Sequence, residues 1–153
     1  MKILNKYFIL FLIIFSGLQS FSQSARFRQL SVDDGLSQNS VFAITQDKQG
    51  YIWIGTVDGL NKYDGKTIKT FVTDEKDSTT LSSGNIVCLL ADDNNNLWVG
   101  TRNGGLNRID LVKNKIHRIK TDTSGNGHIN SNSIFSLHMK GDLLYAGTAD
   151  GGL

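Results

Sequence analysis

The sequence predicts an all-β chain assembled from repeated units of four short antiparallel strands. Three observations carry that reading. The segment from Leu36 to Asp64 recurs from Leu81 to Asp110 and begins again at Ile129, with Trp53, Gly55 and Thr56 matched 45 positions later by Trp98, Gly100 and Thr101. Within each copy, short runs rich in β-branched and aromatic residues alternate with Gly, Asn and Asp turn signals. Beyond the N-terminal apolar run, no stretch shows an apolar stripe at the helical period. Four strands in a repeat of about 45 residues is the pattern of a propeller blade. The fold class is therefore a β-propeller of four-stranded blades, truncated, with about two and a half blades present at this repeat length.

The elements follow in order. Lys2 and Lys6 flank an apolar run, Tyr7 to Phe15, and Ser20, Ser22 and Ser24 supply small residues behind it. That is the layout of a secretory signal peptide over residues 1–24. The run is shorter than the about 20 apolar residues of a membrane span. N-terminal sequencing of the exported protein is expected to begin near Gln23 or Ala25. Residues 25–35 contain Arg26 to Leu30, which reads as the fourth strand of a blade and would complete the last blade of a ring, removing exposed sheet edges.

Blade one covers 36–80. Val41–Thr45 is its first strand, Asp47–Gly50 a hairpin turn and Tyr51–Gly55 its second strand. Leu60–Tyr63 and Thr67–Phe71 follow as alternating strands. Blade two covers 81–128 with the same order. Residues 129–153 are a partial third blade, in which Tyr145 takes the Trp position and Gly147-Thr148 repeats the Gly-Thr pair. Trp53, Trp98 and Tyr145 thus share one repeated site, read as structural core between blades.

Charge and chemistry narrow the function. Without residues 1–24, basic residues fall from 16 to 14 against 14 acids, so the remainder is near neutral. No electrostatic footprint for nucleic acid or a membrane surface is present. Cys88, the single cysteine, lies in an apolar run and reads as a buried small hydrophobe. His117, His128 and His138 lack metal-ligand spacing. No Ser-His-Asp or paired-carboxylate arrangement stands out. Gly125-Asn126-Gly127 lacks the strand and helix of a phosphate loop. Asp92 to Asn96 begins like a calcium loop, but Leu97 and Asn103 stand where that loop needs Gly and Glu, so a hairpin turn is expected. No catalytic residue, metal site or cofactor is expected in this chain.

The repeat resembles the two-component regulator propeller repeat. The resemblance rests on Gly35-Leu36-Ser37, Asn39-Ser40-Val41, Asp47 with Gly50, Trp53-Ile54-Gly55-Thr56, Asp58-Gly59-Leu60-Asn61 and Tyr63-Asp64. It repeats in Trp98-Val99-Gly100-Thr101 and Asn103-Gly104-Gly105-Leu106-Asn107. The turn Asp47 to Gly50 before Trp53 is also similar to the structural Asp-box of sialidase-like propellers, with one residue more between Asp and Gly. What the family resemblance implies is a periplasmic sensor region of a membrane-anchored receptor. Such receptors carry one or two seven-bladed rings, a transmembrane helix and a histidine kinase, and many are thought to sense carbohydrate fragments. This chain would be an N-terminal fragment of such a receptor. Its expected partners are a small-molecule ligand such as an oligosaccharide, the remaining blades of the same protein and, in the full-length receptor, a second copy. A secreted propeller enzyme or carbohydrate-binding protein is the alternative.

Candidate ligand residues come from blade geometry. The loops leading into the innermost strands and those joining strands two and three open on one face. They place Asn39, Asp58, Asn85, Arg102, Asn103 and Asp150, with Ser40 and Ser133, around a channel mouth. Amides, carboxylates and one guanidinium suit a sugar or another polar ligand, although the same residues serve ordinary turns.

Overall fold

A computed structural model describes residues 27–74, 76–121 and 129–153. The expected signal peptide, the Gly125–Gly127 loop and His128 lie outside the described residues. Among the described residues, ten strands form three antiparallel sheets. Blade one is a meander of β1 (Val41–Gln46), β2 (Ile52–Thr56), β3 (Gly59–Tyr63) and β4 (Ile68–Phe71), each paired with the next. Blade two repeats it with β5 (Ile86–Ala91), β6 (Asn96–Thr101), β7 (Leu106–Asp110) and β8 (Lys115–Ile119). The third sheet pairs β9 (Ile134–Lys140) with β10 (Leu143–Thr148).

The sheets stack as consecutive blades. β5 lies against β1 and β2, and β9 lies against β5 and β6, so the first strand of each blade faces the first two of the blade before. The glycine of each Trp-x-Gly-Thr run makes this approach possible. A Cβ on Gly55 would stand 2.5 Å from Ile86 Cγ2, and one on Gly100 would stand 3.0 Å from Ile134 Cγ2. The innermost strand carries an irregularity at the same site in both full blades, between Val41 and Ala43 and between Ile86 and Cys88. An extra residue there bends the strand, a device that suits a ring. The core between blades one and two holds Trp53, Leu60, Leu81, Ile86, Leu97, Val99 and Ile109.

Two buried polar groups hold each full blade together. Asn61 and Asn107 are fully buried on β3 and β7. Asn61 Oδ1 accepts from the Ser37 N–H at 3.0 Å, and Asn107 Oδ1 accepts from that of Ser82 at 2.9 Å. Their amide nitrogens donate to the same serine hydroxyls and to the carbonyls of Ile54 and Val99. Each side-chain amide thereby ties the segment leading into the blade to its third strand, and a buried amide needs such partners. The threonine of the Gly-Thr pair closes the next turn. Thr56, Thr101 and Thr148 each donate to a turn carbonyl, at Gly59, Gly105 and Gly152, and each accepts a turn N–H, from Asp58, Gly104 and Gly151.

Asp64 caps the turn between β3 and β4. The Thr67 N–H, then the Lys66 N–H and the Thr67 hydroxyl, hold its pKa down from 3.8 to about 2. A carboxyl lowered in the fold stabilises fully above its unfolded pKa and loses that contribution as pH falls through the folded one. Stability measured by denaturant titration is therefore expected to fall between pH 3.8 and about 2, and Asp64→Asn is expected to flatten that fall. An unchanged acid limb in the variant would place the acid sensitivity elsewhere.

Residues 25–35 differ from the expected strand over their described part. Residues 27–30 join no sheet among the described residues, and Val32–Asp34 forms a 3-10 turn. The reason is local. Ser31 Oγ accepts from the Asp33 N–H, while Asp34 returns its carboxylate to the Ser31 N–H, a capping box that starts a helical turn. A strand needs a partner ladder, and the described residues hold no blade for residues 27–30 to complete.

Candidate functional site

The floor turns between the first and second strands are built by one aspartate. Asp47 Oδ1 accepts from the N–H groups of Gln49 and Tyr51, and its Oδ2 accepts from Trp53 Nε1 at 2.7 Å. Asp92 repeats this with Asn94, Asn96 and, at 2.8 Å, Trp98 Nε1. Asn95 adopts a positive φ of 59° where Gly50 has 89°, so the two turns are equivalent. Burial pushes the Asp92 carboxyl up, but the hydrogen bonds from Asn96, Trp98 and Asn94 together outweigh it and leave the pKa lowered. Both oxygens of that carboxylate are occupied by N–H donors, which is the chemistry of a turn and not of a cation loop.

The three aromatic positions differ in cover. Trp53 is buried, with its ring 5.5 Å from that of Phe71 and beside Ile109 and Ile116 of blade two. Trp98 is half-buried, because the third sheet offers only β9 and β10 where blade two offers four strands. Tyr145 is half-buried against His138, with ring centroids 6.4 Å apart. The β9–β10 turn is the short Gly141-Asp142 and contains no counterpart of Asp47. Cys88 is partly buried between blades, and burial pushes its thiol up to about 11, which keeps it protonated and unreactive.

On the opposite rim, consecutive blades are stitched through backbone. The Gly59 N–H donates to Gly84 O and the Gly105 N–H donates to Asn132 O, both at 2.8 Å. The Arg102 N–H donates to Asn85 O at 3.0 Å, and the Ser133 hydroxyl bonds the Arg102 carbonyl. The β2–β3 and β6–β7 turns thus meet the segments leading into β5 and β9, as the blade pattern predicts. The expected ligand residues share this rim but not one pocket. Asn85 and Arg102 are neighbours, and the Asp58 backbone lies beside Gly84. Asn39 is bound to the Val32 N–H, and Asp150 stands exposed on the third sheet.

Of that set, Asn103 lines a cleft between blades. This cleft, about 480 Å³, opens where the end of blade one, the segment leading into β5 and the β6–β7 turn meet. Thr73, Ser82, Ser83, Arg118 and Lys120 also line it. Arg118 was not among the residues expected from sequence, and its role is evident in three dimensions. Its Nε donates to Thr80 O at 2.8 Å, and its Nη2 is shared among the carbonyls of Asp77, Leu81 and Asp74 at 2.6, 3.0 and 3.1 Å. One guanidinium therefore fixes the loop between blades one and two. The matching residue of blade one, Thr70, donates its hydroxyl to Asn61 Oδ1 and Gly35 O and holds no such loop. Among the described residues, no three His, Cys, Asp or Glu side chains gather as a metal site.

An arc of β-propeller blades with a polar inter-blade cleft on its rim defines the class of domain. Comparison with known proteins matches residues 35–58 and 80–103 to the two component regulator propeller repeat. Over 74 residues the chain is 45% identical to histidine kinase P4 of Formosa agariphila, a match covering 48% of this chain and 5% of that protein. It resembles the extracellular domain of the putative hybrid two component system BT3049 from B. thetaiotaomicron, with TM-score 0.75 and 27% identity, covering 79% of this chain and 17% of that one. It also resembles PorZ, a surface component of the type-IX secretion system of Porphyromonas gingivalis, with TM-score 0.59 and 26% identity over 72% of this chain and 16% of that one. The chain spans about a twentieth of the curated relative it matches and under a fifth of these two structures.

Proposed function

We propose that this chain supplies blades of an exported, ligand-sensing propeller in a membrane-anchored two-component receptor. The observation that carries the reading is the pair of matched repeats at residues 35–58 and 80–103, within blades that stack as in the extracellular domain of a hybrid two component system. The chain's role is binding; phosphotransfer belongs to other parts of the receptor. The ligand is a small polar molecule, an oligosaccharide fragment above all. The rim cleft supports this, since Thr73, Ser82, Ser83 and Asn103 present hydroxyls and an amide to an open space of about 480 Å³. A pocket of that size suits a small ligand. Asn39, Asp58, Asn85, Arg102 and Asp150 are assigned to the surrounding rim.

The likeness to PorZ favours a second reading, a surface component without a kinase. One experiment separates them. The full-length protein, reconstituted in membranes with ATP, is exposed to defined oligosaccharides and its phosphorylation is followed. Ligand-dependent phosphorylation that Asn103→Ala weakens is the expected result. Constitutive absence of phosphotransfer, with retention at the cell surface, would overturn the receptor reading in favour of the second.

A further inference from the structure

We propose that the rim cleft between blades one and two recognises an anionic group, a carboxylate or sulfate, carried by a polyhydroxylated ligand. This rests on the sensing function proposed above and names the chemical class of its ligand. Among the described residues, Arg118 and Lys120 are the only ionisable side chains that line the cleft. No carboxylate of a described residue does so. The described acids on the loop that Arg118 holds accept from their own turns; the Thr79 hydroxyl and N–H lower the Asp77 carboxyl, and the Arg118 charge adds a smaller contribution in the same direction. Asp74 Oδ1 accepts from the Lys76 N–H, and Asp77 Oδ1 accepts from the N–H and hydroxyl of Thr79.

The guanidinium is held in a way that leaves an end free. Nε and Nη2 of Arg118 are engaged by neutral oxygens of Asp74, Asp77, Thr80 and Leu81. Nη1 has no hydrogen-bond partner among the described residues. The ion pairs formed among those residues, Lys48 with Asp93 and Lys113 with Asp110, involve neither Arg118 nor Lys120. A planar cation whose position is already fixed loses little entropy on binding an oxyanion. Lys120, exposed one residue beyond β8, supplies a second charge of the same sign. Thr73, Ser82, Ser83 and Asn103 supply the donors and acceptors that hydroxyl groups require. Charge-assisted bonds to such a group are the strong ones.

The test is equilibrium binding to the full-length protein with three probes: a trimer of galacturonic acid, the neutral galactose trimer and inorganic sulfate. The acidic trimer is expected to bind the more tightly, with sulfate competing. Lys120→Gln, an exposed change that should not disturb folding, is expected to weaken the acidic trimer by about tenfold, the scale of one charge-assisted contact. It should leave the neutral trimer unchanged, and Lys120→Arg should restore the acidic preference. Equal affinity for both trimers, with no effect of Lys120→Gln, would overturn the anionic reading and leave ligand sensing intact. Failure of all three probes to bind would also overturn it, while the sensing function stands or falls separately on the phosphorylation response.

Discussion

Replacing Trp53 by alanine is expected to cost about 3–5 kcal/mol, the range for removing a buried aromatic side chain. Trp53 is 2% exposed and sits in the core that joins blade one to blade two. The substitution removes more than packing. Asp47, itself 6% exposed, loses the indole N–H that its Oδ2 accepts at 2.7 Å. A buried carboxylate short of a donor adds its own penalty. Trp53→Phe keeps most of the ring and should isolate that hydrogen bond at about 1–3 kcal/mol. Trp98→Ala should cost less in this chain, because Trp98 is only half-buried. In a protein with a complete third blade the two costs should converge. Chemical denaturation of the three variants checks the order, and equal costs for Trp53 and Trp98 in this chain would contradict the cover described for them.

The second large effect belongs to Gly55. A methyl group there would come within 2.5 Å of Ile86 Cγ2 and 3.0 Å of Ile86 Cβ, on the innermost strand of the next blade. Neither atom is the free end of a flexible chain, so the blades must separate to admit it. Gly55→Ala is expected to destabilise by about 1–3 kcal/mol, as over-packed cores do. Combining it with Ile86→Ala tests the cause. If the clash is with Ile86, the double variant will lose clearly less than the sum of the two single losses, because contacting residues are not additive. Additive losses would show that Gly55 matters for some other reason.

Most of the strand plan was legible because it depends on local pattern and repetition. Asp47 to Gly50 was readable as a turn, and β1 to β4 begin and end within a residue or so of the runs that alternate in the sequence. The repeated Trp and Gly-Thr positions also marked where blades would touch. What escaped was set by partners distant in sequence. Asn61 and Asn107 stand in the repeat as plainly as the tryptophans, yet the serines they bind lie 24 and 25 residues away. A polar residue recurring at a buried register position was the available signal. The Asp-to-Trp bond was closer to hand, with the partners six positions apart in both blades. The 3-10 turn at Val32–Asp34 went unread, although Ser31 and Asp34 carry the spacing of a capping box. Arg118 could not have been found, since its partners Asp74, Asp77, Thr80 and Leu81 lie on a loop with no fixed relation to β8 in sequence.

The same contrast applies to the site. Turn residues on the rim were foreseeable from the blade plan, and Asn103 does line the cleft. That Asn39 would instead bind the Val32 N–H depends on the 3-10 turn preceding it.

The central claim is that these sheets are consecutive blades whose outer faces belong against further blades. Val41, Phe42 and Ile44 of β1 are 46%, 57% and 67% exposed, whereas Ile86, the blade-two counterpart of Val41, is fully buried by the blade before it. Phe135 and Leu143 leave the third sheet similarly bare at 46% and 64%. Exposed apolar faces and unpaired strand edges promote association. Sedimentation velocity on residues 25–153, across a range of concentrations, tests this most directly. The account predicts concentration-dependent self-association, relieved when the same residues are part of the longer protein; a monodisperse monomer that also unfolds in one cooperative transition would contradict it and require a smaller, closed β-fold.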